Sequence, residues 1–126
     1  MPFIHIKSLP FEEKFDIPNT IKNVAVDFSE NNDIQLCHIH TKWEYYQPGY
    51  YAKGDKISDF QPKNHYPIIV ELLTPDNYDL KIIQIMLECI ANSISIHTGF
   101  PKNNIFIRSR VAKSNTVFDD GKIAEW

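Results

Sequence analysis

The sequence predicts an α+β fold in which two βαβ units, in the order βαββαβ, form a four-stranded mixed sheet with two helices on one face. Three observations carry it. Residues 3–7 alternate with the period of a strand, and residues 66–73 form an apolar run of strand length. Each is followed by apolar residues at helical spacing and then by a further strand pattern. Pro2 heads the first unit as Pro67 heads the second, which reads as an internal repeat, 1–62 and 63–126, within a single domain of 126 residues.

The first strand is residues 3–7. A helix follows from Asp16, which can cap it, with Pro18 in the first turn where its missing N–H costs nothing. Ile17, Ile21, Val24, Ala25 and Phe28 recur at helical spacing, and the polar run 29–32 ends the pattern. Residues 34–43 then alternate as a second strand. The connection between the two strands is long enough for a parallel crossover.

In the second unit, residues 66–73 read as a buried strand and Thr74-Pro75-Asp76 as a turn and cap. Residues 77–97 read as a long helix with Leu80, Ile83, Leu87, Ile90 and Ile94 on one face, stopped by Gly99 and Pro101. Residues 104–111 supply the fourth strand, and 118–122 a turn before the terminal segment. Residues 44–65, rich in tyrosine with two glycines and two prolines, are too long for an incidental connection. They are expected either to dock over a site or a neighbouring subunit, or to form a surface hairpin.

Composition narrows the function classes. A hydrophobic fraction of 43% and an aromatic fraction of 13% are those of a folded globule. No run approaches the roughly 18 consecutive apolar residues of a membrane span, and no secretion signal pattern opens the chain. The formal charge is −3 with scattered basic residues, which argues against a nucleic-acid partner. Cys37 and Cys89 are too few for a disulfide framework, so the expected setting is the cytoplasm.

Pro2 is the leading catalytic candidate. Once Met1 is removed, it carries a secondary amine; a free α-amino group titrates near about 7.7 to 8.0, against about 10.4 for lysine, and an apolar cleft lowers an amine further. Such a group is a base at neutral pH. Arg108 and Arg110, the chain's two arginines, lie two apart in one strand and therefore on one face with Phe106, while Ile105, Ile107 and Val111 turn toward the helices. Two guanidinium forks suit a small carboxylic acid, and an exposed or inter-subunit ion pair is the alternative. In the second strand Leu36, His38, His40 and Lys42 share a face, and the histidines suit anion binding or proton transfer. A metal would need a third ligand, so none is assigned. No phosphate loop, Ser/His/Asp array or Cys-x-x-Cys pair competes.

With Met1-Pro2 at its head and two βαβ units behind, the chain resembles the tautomerase superfamily. The match is to the long form of 5-carboxymethyl-2-hydroxymuconate isomerase and macrophage migration inhibitory factor, which doubles the single unit of 4-oxalocrotonate tautomerase. Asp16-Ile17-Pro18, Tyr66-Pro67 and Val117-Phe118-Asp119-Asp120-Gly121 extend the likeness. The resemblance implies a homotrimer with a site near each N-terminal proline at a subunit boundary. It implies a tautomerase that needs no cofactor and moves a proton between carbon and oxygen of a keto or enol acid. Pro2 then matches the base, Arg108 and Arg110 the substrate-contacting strand, and Phe118 the aromatic wall. Two departures stand out. The early arginine of the short enzymes is absent, leaving Lys7 and Lys14 as stand-ins, and His38 and His40 occupy the place of an arginine pair before Trp43. No acid is assigned to activate water, so isomerisation is expected over hydration or dehalogenation. A non-catalytic trimer of this fold and a ferredoxin-like module are the alternatives.

Overall fold

A computed structural model describes residues 1–126. Strand β1, Phe3–Ser8, runs in the middle of a mixed sheet of order β2-β1-β5-β6. It pairs in parallel with β2, His40–Tyr45, and antiparallel with β5, Ile68–Pro75; β5 pairs in parallel with β6, Ile105–Ala112. Helices α1, Ile17–Asn32, and α2, Leu80–Thr98, make the two crossovers. The fold is therefore two βαβ units set back to back, with their helices packed on each other over one face of the sheet.

Alternation on the two central strands decides which face is covered. Ile4 and Ile6 of β1 and Ile68, Val70 and Leu72 of β5 are buried beneath the helices. Val24 and Phe28 of α1 and Ile83, Met86, Ile90 and Ile94 of α2 complete the core. By length and composition alone α2 would pass for a membrane span, with mean hydropathy 1.2, but its apolar stripe is the central packing surface of this core. Leu80 leaves that stripe at 71% exposure because it is the first helical residue. Met86, outside the expected stripe, is buried in the core.

Asp16 caps α1, accepting from the Asn19 N–H at 3.0 Å, with Pro18 in the first turn. The second cap differs from expectation. Thr74 and Pro75 continue β5, the Asp76 N–H extends the pairing with Ala112, and the Asp76 carboxylate accepts from the Trp126 indole at 2.8 Å. Asp79 caps α2 in its stead, accepting from the Ile82 N–H at 2.9 Å. Gly99 closes the helix at φ 77°, where a side chain would be strained.

The second strand is also shorter than its alternation suggests. Parallel pairing begins only where β1 begins, at Phe3 opposite His40, so residues before 39 have no ladder partner. Leu36–His38 coil instead into a 3-10 turn after the left-handed Asp33. His38 therefore does not share a strand face with His40. On β6, an edge strand, Val111 is 56% exposed rather than packed beneath the helices. Residues 44–65 end β2 and form a small hairpin, β3, Ala52–Lys53, with β4, Lys56–Ile57. A second hairpin, β7, Phe118–Asp119, with β8, Lys122–Ile123, closes the chain.

Candidate active site

The side chains left on the uncovered face are ordered by strand register. Across β2, β1, β5 and β6, one row reads His40, Phe3, Leu73, Arg110. The next reads Lys42, His5, Glu71, Arg108, and the third Glu44, Lys7, Ile69, Phe106. Four permanent cations thus face two carboxylates on a chain whose formal net charge is −3. A sheet face with surplus positive charge concentrates small anions at its surface.

A cavity of about 910 Å³ opens over the first two rows. Phe3 and Leu73 contribute apolar surface, His40 and Lys42 stand at the β2 edge, and Arg110 at the β6 edge. His5 and Glu71 line it between them. The His40 ring stacks on Phe3 with centroids 4.4 Å apart and planes 14° apart. The His40 N–H donates to the Pro2 carbonyl at 3.0 Å, which ties the start of β2 to the residue ahead of β1. Pro2 itself is buried beside this edge and is not among the residues lining the cavity.

Ion contacts hold the charged rows in place. Arg110 Nη1 lies 3.7 Å from Glu71 Oε2. Glu44 gathers three bases: Lys42 at 2.9 Å, His5 at 3.2 Å and Lys7 at 3.8 Å. The Lys42 hydrogen bond, helped by His5, holds the Glu44 carboxyl below its ordinary 4.5. His5 Nε2 lies beside the Glu44 carboxylate without an aligned hydrogen bond.

The sequence candidates separate on this surface. His40 and Arg110 line the cavity together; Arg108 stands on the same face one row away. His38 lies in the 3-10 turn, and Phe118 sits on the β7–β8 hairpin, 71% exposed; neither lines the cavity. Lys42, His5 and Glu71 line it without having been candidates. Their signal was present: each sits two residues from another open-face position, and Glu71 is the lone charge in an apolar strand. No three His, Cys, Asp or Glu side chains gather closely enough to hold a metal ion.

Tyr46 and Tyr51 of residues 44–65 dock on the chain itself, while Tyr50 stands 74% exposed. Tyr46 packs edge-on against Tyr51 at 5.3 Å and Tyr51 against Tyr66 at 5.6 Å, and the Tyr51 hydroxyl donates to the Pro67 carbonyl at 3.0 Å. Burial raises the Tyr46 and Tyr51 phenols above 10.0. Buried Gln61 anchors the segment by accepting from the Leu9 N–H and donating to the Pro62 and Tyr66 carbonyls. Tyr46 thereby closes a second, smaller hollow of about 250 Å³, which shares His5 and Glu71 with the first.

No family model and no curated protein matches the chain. Solved structures do. A fused 4-OT, described as an asymmetric trimer, is similar with a TM-score of 0.80 at 6% identity over 97% of this chain and 95% of that one. A malonate semialdehyde decarboxylase is similar with a TM-score of 0.69 at 8% identity, over 96% and 93%. The macrophage migration inhibitory factor of Trichinella spiralis is similar with a TM-score of 0.71 at 8% identity, over 95% and 97%. At these identities the likeness is one of architecture, and across nearly its whole length the chain has the fold of the tautomerase superfamily.

Proposed function

We propose that the protein is a tautomerase, needing no cofactor, that isomerises a small keto or enol carboxylic acid with Pro2 as its base. The observation that carries this reading is the position of Pro2, at the head of central strand β1 and bonded to His40 at the edge of a cationic cavity. With Met1 removed, the ring nitrogen takes a proton from the carbon beside the carbonyl and returns it to the far end of the enol system. Arg110 and His40, with Lys42, hold the carboxylate and the charge that develops on oxygen. Arg108 and Phe118 enter through the remaining open face and through a neighbouring copy in a homotrimer, a reading supported by the trimeric fused 4-OT.

A binding role without catalysis is the second reading. It is favoured by one feature: Pro2 is buried and is not among the residues lining the cavity. Intact mass of the chain from its native host, paired with keto–enol turnover of phenylpyruvate, separates the two. The tautomerase reading expects loss of Met1 and a turnover that drops about 10²-fold or more in Pro2→Ala. Unchanged turnover in that variant would sink it, and a trimer that keeps Met1 would favour the binding role.

A further inference from the structure

His5 stands at the centre of the open face, in the floor shared by both hollows, three residues beyond Pro2. Every element around it contributes charge: Lys7 on β1, Lys42 and Glu44 on β2, Glu71 on β5 and Arg108 on β6, with the Tyr46 phenol closing the smaller hollow. Its Nε2 is buried 3.2 Å from Glu44 Oε2, so the carboxylate favours a proton on that nitrogen. A proton on Nε2 leaves Nδ1 with the lone pair. An imidazole oriented by a carboxylate in the floor of an anion-collecting cavity is a proton-transfer group.

We propose that His5 is a second proton-transfer residue of this cavity, able to enolise a bound α-keto acid while the Pro2 nitrogen is still an amide. Nδ1 takes a proton from the carbon beside the carbonyl; the C–H pair becomes the C=C bond, and the carbonyl π pair moves to oxygen, facing Arg110 and Lys42. The imidazolium, stabilised by Glu44, then gives its proton to that oxygen, so that one proton has moved from carbon to oxygen and His5 is restored. The inference uses the same cavity as the tautomerase reading but not its base.

The test uses chain shown by intact mass to keep Met1, with 2-oxobutanoate in D2O, and follows loss of the C3 proton signal by NMR. The expected result is exchange above the buffer rate, reduced about 10²-fold in His5→Gln. Thermal unfolding of the variant checks that the fold persists. Exchange at the buffer rate in the Met1-retaining chain, or exchange within twofold in His5→Gln, overturns the proposal. Neither result bears on Pro2, which is read in processed chain and its Pro2→Ala variant.

Discussion

Replacing Asp27 with alanine should weaken the packing of α1 on α2 more than any other single change among their polar contacts. The Asp27 Oδ2 accepts from the Ser93 hydroxyl at 2.7 Å and meets His97 Nε2 at 2.9 Å. Ser93 is 3% exposed, so without the carboxylate its hydroxyl is buried and unpaired. Losing a hydrogen bond to a charged acceptor costs about 1.5 to 3 kcal/mol. The His97 contact is partly solvated on both sides and adds at most about 1 kcal/mol after screening. The expected destabilisation is therefore about 1.5 to 4 kcal/mol. At about 4 °C per kcal/mol for a chain of this size, Tm should fall by about 6 to 16 °C. Urea unfolding at one fixed protein concentration supplies the free energy directly, since self-association would make Tm concentration-dependent. A double-mutant cycle with Ser93→Ala should recover most of the loss as coupling. A destabilisation below about 0.5 kcal/mol, or no coupling to Ser93, would refute the assignment of Asp27 as the pin between the helices.

Three further outcomes follow from the same geometry. Arg110→Ala should lower kcat/KM for an α-keto acid by about 10- to 100-fold, the loss expected when a charge-assisted contact to the substrate carboxylate is removed, as read by steady-state kinetics. Exposed Cys37 should react with a thiol reagent at least about tenfold faster than Cys89, whose thiol is pushed above 9.0 by burial and by Asp27; equal rates would contradict the burial. Lys42→Met should raise the Glu44 carboxyl toward 4.5 in a carboxyl NMR titration, because Lys42 is the chief cause of its lowered value. A carboxyl lowered on folding adds stability above its unfolded value and loses it as pH falls through the folded one, so any effect of this exposed group on unfolding lies on the acid side of 4.5.

The order of elements was legible because each follows from local rules: period two in residues 3–7, helical spacing after Asp16, Gly99 as a stop. Where the reading of local pattern departed from the structure, longer-range contacts had the last word. Asp76 looked like a helix cap until Trp126, fifty residues away, claimed its carboxylate. His38 and His40 looked like partners on one strand until the start of β1 fixed where pairing could begin. The candidate site was legible only in part. Arg110 and His40 stand out by residue type, whereas His5, Lys42 and Glu71 become neighbours only through register across strands far apart in the chain.

By itself, then, the sequence determined two βαβ units, the apolar faces that join them and the presence of a proline behind Met1, because periodicity and residue chemistry are written locally. The tertiary structure alone decided which charges meet. Crossover and antiparallel pairing place β1 between β2 and β5, and that order assembles a cationic cavity with His5 in its floor and Pro2 just behind its edge.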